Sequence, residues 1–119
     1  MRYLICVVML ASVLAAQTPP QSTSSTTAPA GNAETGKKLF MEKGCFQCHD
    51  TQGQGGDGPR LAPRPIAFTA FIKELRQPRD SMPPYTLKMM PDKEVADIYS
   101  FLAAIPAPPD VNSIPLLKR

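Results

Sequence analysis

The sequence predicts an all-α fold of three or four short helices joined by long loops. Two segments, residues 33–43 and residues 91–105, carry apolar side chains at the three- and four-residue spacing of an amphipathic helix. No segment alternates apolar and polar residues as a half-buried strand does. Long loops are unusual in a domain of this size, so we expect them to wrap around a ligand.

Residues 1–16 predict a secretory signal peptide. Arg2 is followed by an apolar run and then by the small residues Ala15 and Ala16, which is the three-part pattern of such a signal. The run is shorter than the ~20 residues that a membrane-spanning helix needs. We therefore expect an exported, periplasmic protein that loses Cys6 with its signal and has no membrane span when mature. An uncleaved N-terminal anchor is the alternative.

The rest of the chain divides into a linker, one domain and a tail. Residues 17–31 (QTPPQSTSSTTAPAG) have no charge and no apolar periodicity, which predicts a disordered linker. Residues 32–105 form the predicted domain, and residues 106–119 form a proline-rich tail. A domain this small usually needs a disulfide, a metal or a large cofactor to complete its core.

Capping residues set the boundaries of the first two predicted helices. Asn32 suits the N-cap of a helix over residues 33–43, and Gly44 suits the left-handed position after its end. A second helix is predicted over residues 69–76, where Pro78 stops it.

The last predicted helix is the most regular segment of the chain. It begins at Pro91, because proline is favoured at the first helical position. Its apolar stripe consists of Val95, Ile98, Tyr99 and Leu102, and Lys93, Asp97 and Ser100 are expected to face water.

Residues 45–49 read CFQCH and contain the only histidine of the chain. Once Cys6 is removed with the signal, Cys45 and Cys48 are also the only cysteines. Three chemistries use such a motif: a structural zinc site, a redox dithiol and covalent attachment of haem.

The three chemistries differ in what else they require of the sequence. A structural zinc site needs four ligands, so Asp50 or Asp57 would have to join the motif. A redox dithiol is expected at the end of a strand in a β-α-β unit, whereas this pair follows a predicted helix. Haem attachment uses every member, because the two thiols add to the porphyrin vinyl groups and the histidine ligates the iron. The motif therefore favours a haem bound by Cys45 and Cys48 and ligated by His49.

With this motif, GPRL at residues 58–61 and SMPPY at residues 81–85, the chain resembles the small single-haem class I c-type cytochromes of bacterial periplasms. The resemblance covers residues 32–106. It implies the class I cytochrome c fold, in which short helices and long loops surround one covalently attached haem c. It also implies that Gly36 and Phe40 of the first helix meet Tyr99 of the last, with Phe101 a further partner.

The resemblance assigns three further residues to the haem site. It implies that the carbonyl of Pro59 accepts a hydrogen bond from the His49 ring, which makes the ring a more basic ligand. Leu61 then packs on the haem. Met82 becomes the distal iron ligand, and such His/Met ligation raises the reduction potential. The rival methionines are Met89 and Met90.

Charge is unevenly distributed in the chain, whose formal net charge is +3. Between residues 51 and 91, six basic residues are opposed by three acidic ones. Arg60 is the first candidate for binding the haem propionates. The cluster predicts a basic docking face for an acidic redox partner, or else an ordinary solvated surface. No basic helix suggests nucleic-acid binding. The six are Arg60, Arg64, Lys73, Arg76, Arg79 and Lys88.

These features predict an electron-transfer protein rather than an enzyme. An iron with two protein ligands changes its charge by one without binding a substrate. We expect a carrier, monomeric or part of a complex, that passes electrons between periplasmic redox proteins such as a dehydrogenase and an oxidase or reductase. The alternatives are a dedicated cytochrome subunit of a periplasmic oxidoreductase complex and, requiring an open iron position, a haem sensor or peroxidase-like enzyme.

Overall fold

A computed structural model describes residues 28–117. The predicted signal peptide, Cys6 and most of the predicted linker lie outside these residues, so those expectations remain predictions. The described residues contain no strand, which confirms the all-α fold, and none of their helices is long and apolar enough to cross a membrane. The elements are α1 (Ala33–Glu42), α2 (Phe46–His49), α3 (Phe68–Arg76), α4 (Asp92–Ala104) and two 3₁₀ turns (Val111–Ser113 and Pro115–Leu117).

The predicted helix boundaries agree with the structure to within one residue, but one helix was missed. Asn32 caps α1 by accepting a hydrogen bond from Thr35 N (2.8 Å), and Gly44 follows the helix with φ +80°. The helix α3 begins at Phe68 and α4 follows Pro91, which is its N-cap. The four-residue helix α2 was not predicted, because a single turn shows no apolar periodicity.

The core of the domain is built on the crossing of α1 and α4. Gly36 lies directly against α4, where a Cβ atom would overlap the backbone carbonyl of Asp97. This close approach brings the rings of Phe40 and Phe101 together, with centroids 5.6 Å apart. The buried core consists of Phe40, Ala62, Phe68, Phe71, Leu75, Met90, Val95, Ala96, Ile98, Phe101 and Leu102.

The aromatic pairing confirms Phe101 as a partner of Phe40 but not Tyr99. Phe40 pairs with Phe101, whereas Tyr99 makes edge contacts with Phe68 (5.1 Å) and Phe71 (5.4 Å) on α3. The expectation that Tyr99 meets Phe40 was therefore wrong. Tyr99 joins α4 to α3 instead, because α3 covers the side of α4 that carries its ring.

The prediction that Asp97 faces water was also wrong. The residue is only 2% exposed, because α1 crosses α4 at this point. Its carboxylate accepts hydrogen bonds from Asn32 N (2.7 Å) and Lys93 Nζ (3.0 Å). These two donors, the backbone N–H first, hold the pKa of Asp97 below its ordinary value, although burial acts in the opposite direction. A buried carboxylate thus joins α4 to the start of α1.

Candidate functional site

The two thiols and the histidine of CFQCH lie on a single turn of helix. The turn at Gly44 redirects the chain after α1, and Cys45 then caps the short helix α2. His49 N donates to Cys45 O at 3.0 Å, so the two ends of the motif are joined by a backbone bond. Cys45 is half-buried and Cys48 is exposed.

His49 is buried, and one ring nitrogen has a defined partner. Its Nδ1 lies 2.8 Å from the carbonyl oxygen of Pro59, the contact that the resemblance implied. A carbonyl oxygen only accepts hydrogen bonds, so Nδ1 carries the hydrogen and donates it. The neutral ring then has an unprotonated Nε2, which is the form that binds a metal.

The loop that follows α2 folds back and holds Pro59 beside the ring. Gly58 N donates to Cys48 O at 2.8 Å, and Gly55 N donates to His49 O at 3.1 Å. A Cβ atom on Gly58 would lie 2.7 Å from His49 Cε1, so only glycine leaves space for the ring here. The backbone of this loop therefore forms one wall of the histidine site.

The other residues of the GPRL segment lie on opposite sides of the loop. Leu61 is partly buried and packs against the core. Arg60 is exposed, and its Nε donates to Gln54 O at 3.3 Å. Arg60 and Arg64 also line a cavity of about 280 Å³ beside the start of the C-terminal tail.

The three candidate methionines differ in exposure. Met82 is partly buried and packs against the core from the loop over residues 77–91, which joins α3 to α4. Met89 is 54% exposed, and Met90 is completely buried within the core. Of the three, Met82 alone is at the edge of the core, neither sequestered in it nor fully open to water.

Tyr85 links the Met82 loop to the start of the CFQCH motif, a contact that the sequence did not predict. Its hydroxyl donates to Lys43 O at 3.0 Å, two residues before Cys45. Burial raises the pKa of the Tyr85 hydroxyl, and the neighbouring Cys45 thiol raises it further. Burial likewise raises the pKa of the Cys45 thiol. The Tyr85 hydroxyl therefore keeps its proton at neutral pH and can donate it to Lys43 O.

Two members of the predicted basic cluster are in ion pairs. Arg76 is turned inward, with a side chain only 17% exposed, and its Nη2 lies 2.6 Å from Asp92 Oδ1. Arg79 is exposed and pairs with Glu74 at 2.9 Å. No local pattern reveals the inward turn of Arg76, because its partners follow it by 9 to 16 residues.

The zinc alternative for CFQCH finds no ligand cluster in this part of the chain. Within residues 28–117, no group of three or more His, Cys, Asp or Glu side chains is placed to hold a metal ion. His49 and the two thiols share one turn of helix, and Asp50 and Asp57 do not join them.

Comparison with known proteins identifies the family. The family model described as cytochrome c oxidase, cbb3-type, subunit III, matches residues 31–102. The match covers more than half of the chain, which therefore belongs to this family of c-type cytochromes. Searches of curated proteins and of solved structures gave no match. Membership confirms the resemblance to c-type cytochromes and supports electron transfer by haem c.

Proposed function

We propose that this c-type cytochrome is a one-electron carrier whose single haem is bound covalently by Cys45 and Cys48 and ligated by His49 and Met82. The observation that carries the proposal is the hydrogen bond of 2.8 Å from His49 Nδ1 to Pro59 O. It leaves Nε2 as the ligating nitrogen on the same helical turn as both thiols. When bound, haem c supplies an iron centre that exchanges single electrons.

The residues around His49 fit such a group. Pro59 fixes the orientation of the ring and makes it a more basic ligand, as a carbonyl partner does for other metal-bound histidines. Gly58 leaves space for the ring. Leu61, which packs against the core two residues after Pro59, would offer the haem an apolar contact.

Met82 would supply a neutral thioether to the iron from the loop over residues 77–91. Pro83 and Pro84 follow it directly and restrict the backbone, which limits the ways in which the sulfur can move away. Two protein ligands leave no open iron position, which favours electron transfer over the sensor and peroxidase-like alternatives. Arg60 is proposed to bind a propionate, because it is the exposed arginine adjacent to Pro59.

An absorption spectrum of the exported protein tests these ligands. Met82→Ala should lose the weak long-wavelength band that a sulfur ligand gives to ferric haem and should bind carbon monoxide in the ferrous state. The control is Met89→Ala, at an exposed methionine, which should match the wild type. An unchanged Met82→Ala spectrum would exclude Met82 as the ligand. Denaturation tests covalent attachment. The haem should stay with the denatured wild-type chain and should be lost from the double variant Cys45→Ala/Cys48→Ala.

A second candidate function is that of a dedicated subunit in a periplasmic oxidoreductase complex. The family description favours it, because it names a subunit of an oxidase. The exposed apolar residues of the C-terminal tail, Val111, Leu116 and Leu117, would suit contact with a larger protein. Gel filtration of native periplasmic extract distinguishes the two functions, because a carrier elutes as a small protein and a subunit elutes with its enzyme.

An acidic redox protein is the proposed partner. Four basic residues of the cluster are exposed and form no ion pair within residues 28–117, namely Arg60, Arg64, Lys73 and Lys88. Exposed positive charge attracts an acidic partner, and added salt screens the attraction. Electron exchange should slow with salt and in Lys73→Gln, but not in Lys38→Gln, which removes an exposed charge from α1. A flat salt response would remove this partner class.

A further inference from the structure

The loop over residues 77–91 has no regular secondary structure, although it carries the proposed distal ligand. Few of its backbone groups can therefore be fixed by repeating hydrogen bonds. One anchor is the bond from Tyr85 N to Leu75 O, at 2.8 Å. Further anchors come from side chains outside the loop. The Glu74 carboxylate accepts hydrogen bonds from Arg79 N (3.1 Å) and Nε (2.9 Å), and two cations bind the segment that follows Met82.

Arg76 is the last residue of α3 and binds the loop at several points. Its Nη1 donates to Tyr85 O at 2.7 Å, and its Nη2 donates to Met90 O at 2.8 Å and to Asp92 Oδ1 at 2.6 Å. A guanidinium is planar and rigid, so these acceptors are held at fixed positions relative to one another. Since Arg76 and Asp92 flank the loop, their contact also joins its two ends.

Lys43 holds the same segment from the other side. Its Nζ donates to Met89 O at 2.7 Å, and its own carbonyl accepts the hydroxyl of Tyr85 at 3.0 Å. The segment from Tyr85 to Met90 is thus fixed between the end of α1 and the end of α3. Of the two cations, Arg76 makes more contacts and is the more deeply buried, with 17% of its side chain exposed against 27% for Lys43.

We propose that Arg76 is a positioning residue that holds the loop over residues 77–91 and so keeps Met82 in place as the distal ligand. The inference rests on the proposed function, because it takes Met82 as that ligand. A thioether is a weak ligand, so its occupancy depends on how long the loop stays closed. Each hydrogen bond to a charged group contributes free energy to the loop conformation that holds Met82 in place. Losing one such bond changes the ratio of held to detached Met82 about tenfold or more.

The test compares Arg76→Met with Arg79→Met in the exported, haem-loaded protein. Arg76→Met keeps an unbranched apolar stem but loses every donor, whereas Arg79, in the same loop, is 81% exposed and makes only one ion pair within the described residues, with Glu74. We expect carbon monoxide to bind ferrous Arg76→Met at least about tenfold faster than the wild type, and the long-wavelength ferric band to weaken. An exposed ion pair contributes little, and Arg79 N still donates to Glu74, so Arg79→Met should change both measurements much less than Arg76→Met does.

Two further variants separate positioning from simple loss of stability. Asp97→Asn weakens the crossing of α1 and α4 without contact to the loop, so it should keep the ferric band at a comparable loss of thermal stability. Arg76→Lys keeps the charge but offers one nitrogen, so it should fall between wild type and Arg76→Met, and it replaces that variant if Arg76→Met does not accumulate.

The outcomes distinguish the two proposals. The positioning role alone is overturned if Arg76→Met and Arg76→Lys bind carbon monoxide at the wild-type rate while the spectrum of Met82→Ala is altered. The positioning role is also overturned if Asp97→Asn loses the ferric band to the same extent as Arg76→Met. A wild-type spectrum in Met82→Ala overturns the proposed ligand and this inference with it.

Discussion

Gly36 of α1 and Asp97 of α4 meet where the two helices cross, with the glycine against the aspartate carbonyl. The same aspartate binds the backbone N–H of Asn32 through its side chain. One residue of α4 therefore contacts α1 through its backbone at one position and through its carboxylate at another. Because Cys45 follows α1 after a short turn, this crossing also fixes the position of the thiols.

The first prediction concerns Gly36→Ala. The new Cβ would overlap the Asp97 carbonyl, and neither backbone can move without separating the helices. Such overpacking costs about 3 kcal/mol, whereas the better helix propensity of alanine returns about 1 kcal/mol. We expect a net loss of about 2 kcal/mol in the free energy of unfolding, measured by urea titration. Lys38→Ala, on the exposed side of α1, should be nearly neutral, and a Gly36→Ala protein of wild-type stability would contradict the crossing.

The helices could be predicted because their signals are local. Asn32 and Gly44 mark the ends of α1 within a few residues of the helix itself, and Pro91 marks the start of α4. The CFQCH motif likewise carries its chemistry in five adjacent residues. Such features depend on neighbours along the chain, which the sequence displays directly.

The errors concern residues whose surroundings come from distant parts of the chain. Asp97 was placed in water because helical periodicity reports polarity and not what crosses the helix. Arg76 was counted in a basic surface because its backbone acceptors lie on a loop without periodicity, and its carboxylate partner Asp92 lies 16 residues away. Tyr85 was recognised within SMPPY, but its bond to Lys43 spans 42 residues. The sequence offered one indication that Asp97 is buried. Gly36 allows a close approach of α1 to α4, and any residue on the contacted face of α4 is then buried, whatever its polarity.

The second prediction is that Asp97 makes stability depend on pH below about 4. Its pKa lies below the ordinary 3.8 in the folded protein, so the unfolded chain binds a proton first as the pH falls. The stabilisation is complete above the unfolded pKa and is lost as the pH drops through the folded pKa. Urea titrations from pH 7 to pH 3 should show a smaller loss of stability in Asp97→Asn than in the wild type.

A graded variant checks the cause of this pH dependence. Lys93→Met removes the second of the two donors but leaves the bond from Asn32 N. Its pH dependence should therefore lie between those of the wild type and Asp97→Asn. Identical curves for Asp97→Asn and the wild type would mean that another group controls acid stability.

The third prediction concerns Gly58→Ala. A Cβ at this position would lie 2.7 Å from His49 Cε1 and 2.9 Å from Nδ1, so the ring must move. Movement weakens the bond to Pro59 and makes the ring a less basic ligand for the proposed haem iron, so that ferric iron would be stabilised less. We expect a higher midpoint potential in redox titration and a loss of about 1–2 kcal/mol in stability. Asp57→Ala, at the exposed neighbouring position, should keep the wild-type potential, and an unchanged potential in Gly58→Ala would argue against the close contact.

The last prediction concerns Lys43 and Glu94, whose Nζ and Oε2 lie 2.9 Å apart where α1 ends beside the start of α4. Glu94 Oε2 is buried and accepts no hydrogen bond from the described residues, so Lys43 supplies its compensating charge. Lys43→Met leaves this oxygen uncompensated and should cost about 2 kcal/mol. Glu94→Gln leaves Lys43 bonded to Met89 O and should cost about 1 kcal/mol.

The double variant tests whether the two charges interact. It should be about 1 kcal/mol more stable than the sum of the two single losses implies, because removing both partners leaves no uncompensated charge. Urea unfolding of the four proteins measures this coupling, and additive losses would show that the two charges do not interact.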